Sequence, residues 1–406
     1  MAETARRPSP TALFRIIIGM VACGLLLWGI VTTALGAQAV RLRNPQLMVV
    51  FAAHPDAATA LATLQAAAGQ SGDAEVMARR AVLADPLNVK ALTLLGFALQ
   101  RQGREPEATS VLRQAASMGW RQTGILTWGL QDAARNNHPD RVVDIADALA
   151  RRQRVGTLTR TVFFGALDEP GLRRRFVQRL AMQPSWRPGF FADVHDRLAP
   201  AQFDGMDQML RALRATSAPP TAAETLIYVD RMVQLGAIGR ARRYWASVFR
   251  IAAADLAMQP FDGQFTRAAA MNRDAPTGVF DWRLNPDLED LAAFETEAGS
   301  AALRIEPGIP NGAVIASQTL TLSPGDRVLE TRLAAGSGAS APAGWTITCQ
   351  GSEQPLLRSL SRTDRDELSR VAVTIPAQGC PAQILRLIGI DRMDARPATI
   401  VAVTIR

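Results

Sequence analysis

The sequence predicts a multidomain chain with an N-terminal transmembrane helix, an all-α solenoid of helical hairpins and an all-β sandwich. Three observations predict it. Residues 16–40 carry no charged side chain, small and apolar residues recur every 34 positions from about residue 55, and helical periodicity ends near Gln259-Pro260 in favour of short alternating runs. The chain of 406 residues exceeds one ordinary core, since domains run to about 100–200 residues. The expected boundaries are a cytoplasmic tail at 1–15, a membrane anchor at 16–40, a helical solenoid at 45–256 and a β-sandwich at 260–406.

The anchor comes first. Its apolar stretch IIIGMVACGLLLWGIVTTALGA is long enough, at about 1.5 Å per residue, to cross a hydrocarbon core of roughly 30 Å. Arg6, Arg7 and Arg15 precede it, and Arg41 and Arg43 follow. The two adjacent arginines of the short tail favour a cytoplasmic N-terminus in the inner membrane, with the bulk of the chain in the periplasm. Ala37-Gln38-Ala39 also fits an A-x-A processing site, so a cleaved signal peptide stands beside the uncleaved anchor. The apolar stretch exceeds the usual h-region of about 7–15 residues, which favours the anchor. The net charge of +8 is carried almost wholly by arginines scattered along predicted helices, with Lys90 the single lysine. No basic run with interleaved aromatics appears, so nucleic acid is not an expected partner.

In the solenoid, Leu61, Gly69, Ala74, Ala78, Ala81 and Pro86 take the register of Leu95, Gly103, Ala108, Leu112, Ala115 and Trp120. A third unit follows from about Thr123, with Asn137 at the place of the turn glycine, where Asn is the next-best residue for a left-handed backbone. Beyond residue 155 the pattern loosens into amphipathic helices, and a last hairpin is expected in TAAETLIYVDRMVQLGAIGRARRYWASVFRIA. The second unit, through Leu92, Leu95, Gly96, Leu99, Ala108, Leu112 and Ala115, resembles the tetratricopeptide repeat. The resemblance implies small residues where helices approach closely, leucines in the grooves, and a concave surface that binds protein. His54 and His138 each precede a proline at a helix boundary, where a capping or turn role suffices, and His195 between Asp193 and Asp196 fits a solvated helix face. Trp120, Trp128, Trp186 and Trp245 fit packing between helices.

The sandwich is predicted by the runs ALRIE, AVIASQTLTL, RVLETRL, WTITC, RVAVTI, ILRLIGI and TIVAVTI. A jelly roll is the preferred form. Cys349 and Cys380 both fall here, and an exported β domain permits their pairing as a disulfide, with two buried free thiols as the alternative. The segments Phe261-Asp262-Gly263-Gln264-Phe265, Gly278-Val279-Phe280-Asp281-Trp282-Arg283, Ser300–Ile305 and Thr319–Gly325 resemble the opening strands of carbohydrate-binding-module jelly rolls. That resemblance makes Asp281, Trp282, Arg283 and Trp345 candidate ligand residues, because a pyranose needs an aromatic face flanked by charged or amide groups. The plainer alternative is that Phe280 and Trp282 close the sandwich core or seal it against the last hairpin.

No phosphate-cradling glycine loop, H-E-x-x-H, G-x-S-x-G or paired-cysteine metal framework occurs, so neither catalysis nor a cofactor or metal is expected. Asp364, Asp366 and Glu367 fit a solvated loop. Together with His54-Pro55-Asp56-Ala57 and Pro184-Ser185-Trp186-Arg187-Pro188, the Phe280-Asp281-Trp282 element gives a chain that resembles the membrane-anchored repeat proteins of bacterial exopolysaccharide or capsule assembly. The resemblance implies a non-catalytic scaffold that recruits synthesis or export components, with the sandwich touching polymer or partner. Two alternatives stay open: a carbohydrate-binding or carbohydrate-active protein working through the sandwich, and a general envelope-integrity adaptor.

Overall fold

The computed structural model describes residues 10–152, 156–271, 275–297, 299–334, 341–360, 368–391 and 395–406. Arg6, Arg7 and the Asp364, Asp366 and Glu367 cluster lie outside them. The chain divides into two compact units, 1–179 and 180–406.

The first unit opens with α1 (Pro10–Arg41), in which Ile17–Arg41 is long and apolar enough to cross a membrane. A short α2 (Pro45–Val50) follows, capped by Asn44, whose side chain accepts from the Gln46 and Leu47 amides. Then come three antiparallel hairpins: α3 (Pro55–Ala67) with α4 (Ser71–Ala84), α5 (Val89–Arg101) with α6 (Glu105–Ser117), and α7 (Thr123–Arg135) with α8 (Pro139–Ala150). Their first helices begin at residues 55, 89 and 123, a spacing of 34 each time. Within each hairpin the turn needs one left-handed residue, and Gly69, Gly103 and Asn137 supply it with φ of 78°, 77° and 54°. Asn137 thus does what its register predicted. α9 (Gly156–Asp168) and α10 (Pro170–Ala181) complete the series.

Packing between these helices follows the repeat residues. Leu92, Leu95, Gly96, Leu99, Ala108, Leu112 and Ala115 are all buried. Gly96 is where α5 and α6 approach most tightly, since a Cβ there would lie 2.4 Å from the Leu112 Cγ. Ala62, Ala78, Leu95, Leu99 and Ala108 form one cluster linking the first hairpin to the second. Charge adds to the seam: Glu75 accepts from Gln102 and from Arg104, both at 2.8 Å. Burial works against the Glu75 carboxylate, but these donors and the nearby guanidinium charges outweigh it and lower its pKa.

The second unit contains α11 (Arg187–Arg197), α12 (Phe203–Arg214), the hairpin α13 (Ala222–Gln234) with α14 (Ile238–Phe249), two five-residue helices α15 (Ala253–Ala257) and α16 (Thr266–Ala270), and ten strands. The strands are β1 (Arg283–Leu284), β2 (Ala292–Glu297), β3 (Ser300–Ile305), β4 (Val314–Leu320), β5 (Gly325–Leu333), β6 (Ala343–Cys349), β7 (Pro355–Leu360), β8 (Leu368–Ile375), β9 (Gln383–Gly389) and β10 (Ala398–Ile405). They form two five-stranded sheets, ordered β1-β4-β9-β6-β7 and β2-β3-β10-β5-β8, with antiparallel pairing throughout. β6 pairs with β7, β5 with β8, β4 with β9 and β3 with β10. This nesting is a single long hairpin rolled into two layers, which is the jelly roll. Its core holds Leu303, Ile305, Ile315, Leu320, Ile347, Leu385 and Val403, drawn from both sheets.

The seven strand runs expected from sequence correspond to β3, β4, β5, β6, β8, β9 and β10. Cys349 and Cys380 form the disulfide. Cys23 is free and exposed on α1.

Candidate functional site

Two regions carry candidate sites. One is a groove in the first unit, and the other is the mouth of the jelly roll, where the sequence located its candidate ligand residues.

The groove encloses about 440 Å³ between α3, α4 and α5. Its floor is apolar, made by Ala66, Ala67, Ala74, Leu94, Phe97 and Ala98, and Ser71, Gln100 and Arg101 stand at its rim. Arg101 is held in place because its Nη1 donates to the Ala66 carbonyl at 2.7 Å. Leu94 and Phe97 of α5 are half-buried rather than sealed, and Leu64 of the neighbouring α3 is 47% exposed. A surface with apolar side chains flanked by fixed polar groups suits an apolar anchor of a protein segment.

The jelly-roll mouth is built by residues 259–271 and 275–283. Gly263 lies against β10 so closely that a Cβ would fall 2.1 Å from the Val403 carbonyl oxygen, and the Val403 amide donates to the Gly263 carbonyl at 2.8 Å. The neighbouring Asp262 carboxylate accepts from the amides of Arg267 and Ala268 at 3.0 and 2.8 Å, at the start of α16. Burial nonetheless dominates, and the Asp262 pKa is raised.

Each sequence-predicted ligand residue has a structural partner here. The Asp281 carboxylate accepts from the Gly278 amide at 3.0 Å, from Trp245 Nε1 at 3.3 Å and from Arg267 Nε at 3.3 Å. Trp282 donates through Nε1 to the Asp262 carbonyl at 3.0 Å and lies 6.0 Å from the Trp345 ring. Arg283 pairs with Asp230 of α13 at 2.5 Å, and the same carboxylate accepts from the Val279 amide at 3.3 Å. Trp282 and Trp345 are only 3% and 6% exposed. A ring buried to that extent offers no open face for a pyranose to stack on.

The plainer alternative therefore describes what these side chains touch. Trp245 of α14 packs edge-on to Phe261 at 4.9 Å and tilted against Phe280 at 5.5 Å. Gln350, just past β6, donates to the Val233 carbonyl of α13 at 2.8 Å. The last helical hairpin and the jelly roll are thus joined by an aromatic cluster, a satisfied carboxylate and an ion pair. Sequence reasoning missed Asp230 and Arg267. An Asp on a predicted helix and an Arg in a polar stretch carry no sign of partners so far along the chain.

Asp281 and Trp282 also form part of the wall of a cavity of about 190 Å³ with Phe261, Arg267, Asn285 and Phe294, whereas Arg283 and Trp345 do not line it. The Arg187 of the P-S-W-R-P segment is structural as well. It is 5% exposed and donates to Glu224 and to the carbonyls of Leu180, Ala218 and Pro219.

The histidines stand apart from one another along the chain. His54 caps α3 by accepting from the Asp56 amide at 3.3 Å. His138 precedes α8 without a side-chain capping bond, and His195 is exposed, with Nδ1 2.8 Å from Asp196. Among the described residues no group of three or more His, Cys, Asp or Glu is placed to hold a metal ion. Trp128 is in the core of the second and third hairpins, while Trp120 is 38% exposed.

These features define a helical-repeat protein with an N-terminal helix of membrane-spanning length and a disulfide-bonded jelly roll. No protein-family model matches the sequence, and no curated protein matches it significantly. Among solved structures it is similar to PilW, described as a widely conserved type IV pilus biogenesis factor, at 19% identity over 49% of this chain and 95% of that one, with a TM-score of 0.25. It is also similar to a putative sugar binding protein from Bacteroides thetaiotaomicron VPI-5482, at 13% identity over 33% of this chain and 89% of that one, with a TM-score of 0.23. At such TM-scores neither likeness bears on what this chain does.

Proposed function

We propose that the chain is a non-catalytic adaptor, anchored in the inner membrane by α1 with its N-terminus in the cytoplasm, that recruits protein components of an envelope-assembly machine from the periplasmic side. The observation that carries this proposal is the groove between α3, α4 and α5, with its apolar floor and polar rim. Two features support the retained anchor. α1 runs without a break through Ala37-Gln38-Ala39, and Ala39 is fully buried in a cluster with Met48, Ala52, Ala57 and Leu61. Cleavage there would remove a turn of helix from the core of the first hairpin. The disulfide fits an oxidising compartment. The resemblance to exopolysaccharide and capsule assembly proteins makes such a machine the first place to look for the partner. Direct polysaccharide binding by the sandwich has the burial of Trp282 and Trp345 against it.

A photo-crosslinking residue in place of Leu94 or Phe97, in the full chain in its own membranes, tests the proposal. It should yield one envelope-assembly protein as the dominant adduct, and Leu94→Glu, with the probe at Phe97, should reduce that adduct by about fivefold or more, because a buried unpaired charge costs at least about 1–3 kcal/mol. The same adduct from a label at exposed Arg80 of α4, which does not line the groove, or none from either groove position, would overturn it.

A further inference from the structure

The first unit leaves an apolar patch uncovered directly after the membrane-length helix. Leu42, Val49 and Val50 are 61%, 63% and 72% exposed, and Leu47 is also exposed. Leu47, Val49 and Val50 belong to α2 and Leu42 to the turn before it, and the opposite face of α2 is accounted for, since Met48 is buried against Ala39, Ala52, Ala57 and Leu61. Arg41 and Arg43, both exposed, flank the turn, and Arg43 takes a φ of 49° as the chain reverses from α1 into α2.

Length fixes the height of this patch. Ile17–Leu35 rises about 28 Å at about 1.5 Å per residue, close to the roughly 30 Å hydrocarbon core. Gly36 and Ala39 are buried, and a Cβ on Gly36 would lie 2.9 Å from the His54 Cβ, so the last turns of α1 are covered by protein rather than lipid. Those turns, Gly36–Arg41, climb about another 9 Å, enough to pass through a headgroup layer of roughly 5–8 Å. α2 packs against this same stretch through Met48 and Ala39. Its exposed side chains therefore stand at the membrane surface, with two guanidinium groups at the level of lipid phosphates.

We infer that α2 and the turn before it form a lipid-facing foot, in which Leu42, Leu47, Val49 and Val50 enter the interface of the bilayer while Arg41 and Arg43 bind headgroup phosphates. The inference rests on the anchor proposed above. The foot complements the anchor by fixing how the first hairpin is seated on the membrane, since a single helix alone leaves rotation and tilt free.

The test uses the full chain with Cys23→Ser, in which Cys349 and Cys380 remain paired. An environment-sensitive fluorophore is attached at Val50→Cys, Leu26→Cys or Arg80→Cys, and the protein is reconstituted into phosphatidylethanolamine–phosphatidylglycerol vesicles. The label at 50 should be quenched by lipids carrying a nitroxide near the headgroup. Its quenching by aqueous iodide should be at least about threefold weaker than at 80, as expected for side chains entering the interface. The label at 26 should be quenched by a nitroxide deep in the acyl chain. If 26 is quenched from the lipid while 50 is as open to iodide as 80, the foot is refuted and the anchor stands. If 26 is also open to iodide, the anchor fails and the foot fails with it.

Discussion

The helical repeats of the first unit and the jelly roll of the second solve the same problem, the burial of an apolar face, at opposite ranges along the chain. In the repeats, contacts join one hairpin to the next. Gln102 and Arg104 reach back to Glu75, and Arg175 reaches Asp144 at 2.7 Å. In the jelly roll, β3 pairs with β10, so that Ile305 faces Ala398. Small side chains suffice where helices are already neighbours in sequence, whereas strands far apart must be held against the entropy of a long closed loop. The one disulfide lies in the unit where that entropy is larger.

The strongest way to sharpen this contrast is to remove the covalent link. Replacing Cys349 and Cys380 with Ser should cost the second unit about 3–4 kcal/mol by the loop-entropy estimate, and leave the first unit almost unchanged. Hydrogen exchange read segment by segment would check it, and equal loss of protection in both units would break the comparison.

A smaller effect is expected in the repeats. Gly96→Val should destabilise the second hairpin by about 1–3 kcal/mol, the usual penalty for overpacking, because the new Cβ must displace Leu112. Leu112→Ala in the same chain should recover part of that loss, whereas a hairpin indifferent to Gly96→Val would show that the close approach does not hold it.

The smallest effect is one of sign with pH. Burial opposes the Asp144 carboxylate, but hydrogen bonds from Arg175 and Arg179 outweigh it, so its folded pKa lies below the ordinary value. Its contribution is present at neutral pH and is lost as pH falls through that lowered value. Asp262 is the reverse, since burial raises its folded pKa. It disfavours the folded state while ionised, and that penalty is relieved as pH falls through the raised value toward the ordinary one. Asp144→Asn should flatten the acid limb of stability in the first unit, and Asp262→Asn should remove the gain on mild acidification in the second. Exchange protection measured across the acid range would show identical slopes if these assignments are wrong.

Much of the fold was legible because it is written in residue type. The turn glycines, Asn137 and the buried alanines repeat at a fixed spacing, and β4, β9 and β10 alternate over most of their length. What escaped lies at sheet edges. β1 is two residues long, β7 begins at Pro355 and carries Arg358, and β2 mixes Phe294 with Glu295 and Glu297. With a neighbour on one side only, such strands need no strong pattern. In the candidate ligand cluster, residue identity was visible but direction was not. β6 is buried on both faces, with Thr346 as its one half-buried position, so alternation could not say that Trp345 faces the core. Nor could it show that the partner of Arg283 stands on α13.

The nested order of the strands bears on how the chain folds as it is synthesised. β6 and β7 can pair as soon as both have left the ribosome, and Cys349 can meet Cys380 before β10 exists. β3 and β5, by contrast, both need β10 as a neighbour. Until Ala398–Ile405 arrives, each of them presents an unpaired strand edge to its surroundings. Holding those edges apart from other nascent chains is then a task for whatever escorts the chain until β10 has emerged.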